Sequence, residues 1–247
     1  FDAEEDERLS ALYIVPADGS QSPHLLTHAS TASAPTWSPD GSRLAFLAER
    51  ESDLERRIGR EVGNGAGSAD EESASAEGKH PTSDTEEPET QVWVFDMDRG
   101  GDARQVTDRS EGVTEFDWSP DGDRLVIASC DPTDEQAEML QERRDGGPIE
   151  IDRLQHKAEG VGWLDDVKTY LFVVDLESGE ERRLDEAYSA GALEHLFGMQ
   201  PTWGEGGIAF VTNRTEWPDN SWVMDLFVVD PDEAEPTLEQ VTDGDIL

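Results

Sequence analysis

The side chains of a hydrolytic centre are present in this sequence, but they do not stand at the spacing that such a centre needs. A serine nucleophile on an α/β-hydrolase fold lies in Gly-x-Ser-x-Gly, at a sharp turn that brings its hydroxyl within reach of a base. The sequence has no such pentapeptide, and its nearest approach is Ser68 in GAGSAD. The histidines that could supply the base are scattered among predicted loops and turns, at His24, His28, His80, His156 and His195. We therefore predict no catalytic residue in this chain.

Carboxylates are abundant enough to suggest metal ligands or acid–base pairs. Adjacent acids such as Glu4-Glu5, Glu86-Glu87 and Asp165-Asp166 are expected by chance among 58 Asp and Glu residues. None stands in the Asp-x-Asp-x-Asp-Gly loop of a calcium site, and GNGAGS at 63–68 lacks the Lys-Ser/Thr of a phosphate loop. The single Cys130 excludes an internal disulfide and a cysteine-based zinc site. We predict neither a metal site nor a cofactor site.

The chain is strongly acidic: 19 Lys and Arg residues against 58 Asp and Glu residues give a net charge of −39. Such a surface could bind cationic partners, or it could be an adaptation to high salt. Lysine occurs only at Lys79, Lys157 and Lys168, and acids spread through nearly every predicted loop. Because molar salt shortens the Debye length to about 3 Å, we predict a protein from the cytoplasm of a halophile. Neither nucleic acid nor a membrane is an expected partner, since phosphates would be repelled and no apolar run could span a bilayer.

One segment occurs three times and predicts the fold. It reads PTWSPDGSRLAF at 35–46, FDWSPDGDRLVI at 116–127 and PTWGEGGIAFVT at 201–212. In the first two copies Pro and Gly favour a tight turn, and the run that follows suits a strand whose alternate residues are buried. Between the copies, apolar strands such as QVWVFD and LFVVD alternate with short strands such as ARQVT. Without inserts the cycle is about 40 residues, the length of a β-propeller blade.

The sequence therefore predicts an all-β fold, a partial β-propeller over 1–247 with about three to four blades of four-stranded antiparallel sheet. The tryptophan of each copy is expected in the layer between neighbouring blades. Residues 59–90 are rich in Gly, Ser, Ala and acids and predict a disordered, low-complexity loop insert. Residues 131–147 predict a helical insert capped by Asp131. The predicted buried side of this helix consists of Ala137, Met139 and Leu140.

The repeat then points to a family. The Trp-Ser-Pro-Asp-Gly turn, followed by LFVVD and QVTDG, resembles the WD40-like β-propeller repeats of TolB-like proteins and of the prolyl oligopeptidase family of serine peptidases. The segment 151–184 is similar to the mid-propeller segment of acylaminoacyl-peptidase and dipeptidyl-peptidase-like members. The resemblance implies a propeller followed by an α/β-hydrolase domain that carries Ser, Asp and His. The propeller would cap that active site and limit entry to short peptides.

This sequence departs from the family pattern because it ends at VTDGDIL, so we expect that the catalytic domain is absent and that the chain alone is inactive. The expected partners are peptides and a hydrolase domain, or a downstream polypeptide, that supplies Ser, Asp and His. The alternative is a stand-alone TolB-like propeller that binds a protein or peptide. Arg153, Lys157 and Trp163 could face the hydrolase domain, although rim packing and exposed salt bridges are the more common role of such residues.

Overall fold

The predicted propeller is confirmed by three four-stranded antiparallel sheets that follow one another along the chain. A computed structural model describes residues 10–27, 31–50, 89–149, 151, 153–158, 162–164, 167–184 and 193–244. The first sheet contains β3 (Ser33–Trp37), β4 (Arg43–Ala48), β5 (Gln91–Asp96) and β6 (Arg104–Gln105). It is preceded by a hairpin of β1 (Tyr13–Ile14) and β2 (His24–Leu25).

The second and third sheets repeat this meander. The second contains β7 (Glu115–Trp118), β8 (Arg124–Cys130), β11 (Thr169–Asp175) and β12 (Glu181–Arg183). Between β8 and β11 lie helix α1 (Asp134–Arg144) and a hairpin of β9 (Lys157–Ala158) and β10 (Gly162–Trp163). The third sheet contains β13 (Thr202–Gly204), β14 (Gly207–Thr212), β15 (Asp225–Val229) and β16 (Leu238–Gln240). Helix α2 (Leu193–Phe197) precedes it, and a 3₁₀ turn (Pro218–Asn220) lies between β14 and β15.

The core consists of apolar layers between neighbouring sheets. Successive side chains of a strand point to opposite faces of its sheet. Leu125 and Ile127 of β8 therefore pack toward the first sheet, while Val126 and Ala128 pack toward the third. All four are fully buried. The inner strands of the first two sheets are buried on both faces and are continuous apolar runs, whereas β14 and β15 of the third sheet alternate between buried and half-buried residues.

The Trp-Ser-Pro-Asp-Gly segments form the turns between the first two strands of their sheets. In the second sheet the Ser119 hydroxyl donates to Asp121 at 2.5 Å and accepts from the Arg124 amide at 2.9 Å. Gly122 closes the turn with a φ of 75°, a conformation that favours glycine. The tryptophan that precedes this turn, Trp118, is buried between the first two sheets.

The tryptophans of the three repeats do not share one environment. Trp118 and Trp203 are buried in layers between sheets, as predicted, but Trp37 is 47% exposed. Trp118 is covered by β3 and Trp203 is covered by β7, in each case the first strand of the preceding sheet. In the described part of the chain, no such strand precedes β3, so Trp37 stays partly in solvent.

Helix α1 lies within the predicted 131–147 insert, but its packing was predicted wrongly. Its cap is Thr133, which forms a reciprocal capping box with Gln136, instead of Asp131. No residue of the helix is buried: of the predicted buried side, Ala137 and Met139 are exposed and Leu140 is half-buried. An ion pair of 2.8 Å from Arg144 to Glu111 links the exposed helix to the connection between β6 and β7.

Two further predictions concern the inserts and the membrane. The acidic loop predicted at 59–90 lies, except for its last two residues, outside the described residues. Neither helix that the structure describes has the length and apolar character needed to cross a lipid bilayer.

Candidate functional site

The three sheets present two chemically different ends. In each sheet, tight hairpins join the first strand to the second and the third to the fourth. The longer connections, from the second strand to the third and from sheet to sheet, emerge at the opposite end. We call these the turn end and the insert end. The insert end carries the connections 106–114 and 213–224 and the described residues of 131–168 and 184–201.

Contacts between the first strands of the three sheets (β3, β7 and β13) place the equivalent ends of the sheets together. The Trp118 indole N–H, at the end of β7, donates to the Thr36 carbonyl of β3 at 3.0 Å. At the start of β7, the Glu115 carboxylate accepts from the Met199 amide at 2.7 Å, just before β13. The first strands of the sheets therefore begin at the same end of the molecule, and the inserts of the sheets share that end.

The turn end is acidic, and hydrogen bonds lower the pKa of Asp40 and of Asp121 there. The Ser38 hydroxyl, followed by the amide and hydroxyl of Ser42, lowers the pKa of Asp40 to about 2. The Ser119 hydroxyl likewise holds the pKa of Asp121 below its ordinary value. A carboxyl group that is ionised at neutral pH cannot act as a general acid. These groups instead stabilise the turns that contain them.

Hydrogen bonds at the insert end join helix α2 to the connection between β14 and β15. The fully buried Asn213 donates its backbone amide to Glu194 of α2 at 2.7 Å. Its side-chain amide donates to the carbonyls of Pro218 and Ser221, each at 3.2 Å. Glu194 also accepts from the Thr212 hydroxyl at 2.8 Å. Asn213 thus fixes both ends of the 3₁₀ turn.

Asp219, within that turn, joins the inserts of the second and third sheets. One of its oxygens accepts from the Gln155 amide at 3.1 Å, and the other accepts from the Leu154 amide. The Arg153 guanidinium forms an ion pair with Asp219 at 3.3 Å, and the Arg153 side chain is only 9% exposed. A charge this deeply buried is stable only when it is paired. Arg153 therefore has a structural role, the more common role considered for it above.

Lys157 and Trp163 lie on the neighbouring β9–β10 hairpin and are both accessible. The Lys157 ammonium lies 4.9 Å from the centre of the Trp163 ring, within the range of a cation–π contact. The His156 and Trp163 rings also lie together, with centroids 6.2 Å apart. Trp163 remains 39% exposed. Of the three residues considered from the sequence, Lys157 and Trp163 are therefore available to a partner.

Large apolar side chains project from this network into solvent. We call them the apolar platform: Leu154, Trp163, Phe197, Trp217 and Trp222. Trp217 and Trp222 are 70% and 71% exposed, and Leu154 is 69% exposed. Among the described hairpin turns of the three sheets, no large hydrophobic side chain is exposed in this way. Trp37 and Val15 are also exposed beside turns, but the most exposed large apolar side chains lie at the insert end, and exposed apolar surface on an acidic protein indicates an interaction site.

The sequence reasoning missed the most exposed part of this platform. Trp217 and Trp222 flank the 3₁₀ turn in TEWPDNSW, a segment with no strand alternation. Two tryptophans in a polar loop were the available signal, because tryptophan is otherwise highly buried on average. Within the described ranges, no three His, Cys, Asp or Glu side chains are grouped as a metal site would require. The arrangement at the insert end is suited to binding a partner.

Comparisons with known proteins agree with this architecture. A family model described as the dipeptidyl peptidase IV (DPP IV) N-terminal region matches residues 29–213. The uncharacterized peptidase YuxL of Bacillus subtilis is 26% identical over 199 residues, covering 79% of this chain and 24% of that protein. The acylaminoacyl peptidase of Pyrococcus horikoshii aligns with a TM-score of 0.57 at 17% identity, covering 98% of this chain and 29% of that one. TolB from Acinetobacter baumannii aligns with a TM-score of 0.48 at 12% identity, covering 94% and 37%. The chain spans about a quarter of the length of the Bacillus relative.

Proposed function

The chain belongs to the dipeptidyl peptidase IV N-terminal region family, and from this premise we propose that it is the noncatalytic propeller portion of a serine peptidase of the prolyl oligopeptidase type. In this proposal it caps an active site on a hydrolase domain that supplies Ser, Asp and His. It admits short peptides and excludes folded proteins. The observation that carries the proposal is the insert end, where a rigid network holds several apolar side chains toward one side of the propeller.

The core layers explain how such a cap would select by size. Trp118 and Trp203 lie in dry layers between sheets, so separating two sheets would expose a continuous apolar surface to water. Exposing buried apolar side chains costs roughly 1.5–3 kcal/mol for each one. If a substrate does not part the sheets at that cost, it reaches the active site only through openings that keep a fixed width. Fixed openings admit flexible peptides and reject folded chains.

Activity assays in molar KCl test this function. The purified chain alone is expected to cleave neither acylated peptides nor dipeptidyl anilides. Joined to its hydrolase domain, the chain is expected to reduce cleavage of an exposed loop in a folded protein while sparing a short flexible peptide. Hydrolysis by the pure chain, or a size preference that is the same with and without it, would refute the proposal. Stable binding of a protein without any hydrolase domain would instead identify a TolB-like binding module.

We also propose that the chain works in the cytoplasm of a halophile. Its net charge of −39 creates strong self-repulsion in dilute buffer, and molar salt screens that repulsion. Unfolding followed by tryptophan fluorescence should show stability that rises steeply from millimolar to molar KCl. A free energy of unfolding that does not change with KCl concentration would contradict the proposal.

A further inference from the structure

We infer that a cleft between helix α1 and the outer part of the second sheet binds a small monocarboxylate, whose negative charge is held by Lys168 and Arg183. The cleft shares no residue with the apolar platform. It is also independent of the proposed peptidase function, because every side chain in it belongs to this chain. The site therefore gives the propeller a ligand of its own.

The cleft has the size of a small-molecule site. Its volume is about 550 Å³, within the range of about 300–1,000 Å³ that is typical of ligand pockets. The first turn of α1 forms one wall, and the beginning of β11 and the end of β12 form the other. The lining includes two cations, Lys168 and Arg183, two carboxylates, Asp131 and Glu135, and the aromatic residue Tyr170.

Lys168 supplies a positive charge that no other group uses. In the part of the chain that the structure describes, no carboxylate forms an ion pair with its ammonium group, and no oxygen accepts a hydrogen bond from it. The residue is half-buried. Charged groups that are partly withdrawn from water are normally paired, and acids outnumber bases 58 to 19 in this chain. A half-buried ammonium group left unpaired among so many acids points to an anion from outside the chain.

Arg183 adds a guanidinium group that is held in place but only partly used. Its Nη1 donates to Asp131 at 3.1 Å, and its guanidinium carbon lies 4.5 Å from the centre of the Tyr170 ring. Among the described residues, no acceptor receives a hydrogen bond from its Nε or Nη2. The side chain is 42% exposed. These two nitrogens form one edge of the guanidinium, and such an edge matches the two oxygens of a carboxylate.

The carboxylates near the cleft leave room for an added anion. Asp131 is shared by two arginines, since it also accepts from Arg109 at 2.8 Å. Arg109 in turn pairs with Glu181 at 3.4 Å. Glu135 is exposed, so water and salt screen its charge. Together with the unpaired lysine, three cations stand against three carboxylates here, whereas the whole chain carries a net charge of −39.

This balance favours a monoanion over a dianion. Carboxylate and phosphate groups both fit an arginine edge beside a lysine. A phosphate group carries close to two negative charges at neutral pH, and both Glu135 and the charge of the whole chain repel it more strongly than a single charge. Pro132 and the aliphatic stem of Lys168 offer apolar surface to the rest of the ligand. A carboxylate on a small apolar body therefore fits best, and benzoate is the simplest probe.

Equilibrium dialysis of radiolabelled benzoate against the full chain in molar KCl tests the site. Benzamide, which has the same shape without the charge, is the matched ligand control. The chain should bind a single benzoate, and it should bind benzamide at least about tenfold more weakly, because charge-assisted hydrogen bonds are lost. Lys168→Met should weaken benzoate binding at least about fivefold. Arg99→Met removes an exposed cation at the turn end and should leave binding unchanged.

A second measurement uses the parent chain, so it does not depend on whether a variant folds. Acetic anhydride acetylates accessible lysines, and mass spectrometry of the digested protein gives the rate at each position. Saturating benzoate should slow acetylation of Lys168 at least about threefold, because the bound carboxylate covers its ammonium group. Acetylation of Lys157, which is exposed on the β9–β10 hairpin, should not change.

Three results would overturn the site. The first is benzoate binding of equal strength in the parent and in Lys168→Met, or no benzoate binding at all. The second is equal binding of benzoate and benzamide, since the cleft would then not recognise charge. The third is acetylation of Lys168 that benzoate does not slow. Inorganic phosphate that binds more tightly than benzoate would overturn the assignment of the ligand as a monocarboxylate.

Discussion

Replacing Arg124 with methionine tests how neighbouring sheets of the propeller are joined. Arg124 follows the Trp-Ser-Pro-Asp-Gly turn of the second sheet and reaches across to the third. Its guanidinium carbon lies 4.9 Å from the centre of the Trp203 ring, and it pairs with Asp232 at 2.6 Å. Methionine keeps the length and apolar stem of the side chain while removing its charge. The substitution therefore isolates the electrostatic part of the contact between the sheets.

The structure allows the loss to be estimated. Cation–π contacts contribute about 0.5–1 kcal/mol when exposed and about 2 when desolvated. Arg124 is 26% exposed and Trp203 is buried, so a value of about 1.5 kcal/mol is expected. Asp232 is 68% exposed, so its ion pair adds less than about 1 kcal/mol. Arg124→Met should thus lower the free energy of unfolding by about 2 kcal/mol.

Arg43 provides the matched comparison, because it occupies the equivalent position between the first and second sheets. It lies farther from the Trp118 ring, at 5.4 Å, and its ion pair to the highly exposed Asp123 is 3.4 Å long. Arg43→Met should therefore cost about 1 kcal/mol, roughly half as much. Urea unfolding at two KCl concentrations measures both variants. Higher salt should remove the ion-pair part of each loss and leave the cation–π part.

The ordering of the two variants decides whether this reasoning is correct. A loss in Arg43→Met that equals or exceeds the loss in Arg124→Met would show that distance and burial do not govern these contacts. A loss in Arg124→Met that disappears entirely in molar KCl would also refute the estimate. In that case the ring contact with Trp203 would contribute nothing, and the exposed ion pair would account for the whole effect.

Three further predictions concern the backbone and pH. Ala34 has a φ of 49°, so Ala34→Gly should raise the free energy of unfolding by about 1 kcal/mol in urea titrations, and a loss would argue against strain there. A Cβ atom on Gly207, whose φ is 117°, would lie 2.6 Å from the Val229 carbonyl oxygen. Gly207→Ala should therefore lower the free energy of unfolding by at least about 1 kcal/mol. Gly204→Ala is the control and should change it little, because a Cβ atom there meets nothing within 4 Å. Because the folded-state pKa of Asp40 is lowered to about 2, its stabilisation is present above the ordinary pKa of about 3.9 and is lost as pH falls toward 2. Asp40→Asn should be less stable than the parent at pH 7, with a gap that closes between about pH 4 and 2 in acid titrations; a gap that stays constant would contradict this.

Local patterns explain why the repeat architecture was predictable. The turn needs a hydroxyl, a carboxylate and a glycine within a few residues, and Ser119, Asp121 and Gly122 supply them at fixed spacing. The strand that follows, Arg124–Cys130, needs only the alternation of its own side chains between two faces. Such requirements are met by neighbours in the chain, so they can be read without knowledge of the fold.

The helical insert shows where local patterns mislead. Its capping box is local, and a helix does form at Asp134–Arg144. Whether Met139 is buried depends on what lies across from it, and in the structure Met139 stays 38% exposed. Helix formation and helix burial therefore have separate causes, and only the first can be read from the segment itself.

The all-β repeat, the turns that join its strands and the acidic character of the surface all follow from the sequence alone. Tertiary structure decided which tryptophans are covered, since Trp118 is buried by a strand some eighty residues earlier while Trp217 is left in solvent. It also decided the role of Arg153, whose partner Asp219 is sixty-six positions away. The physical reason is that burial and charge pairing depend on groups that only folding brings together, whereas turns and strand alternation depend on residues that are already adjacent.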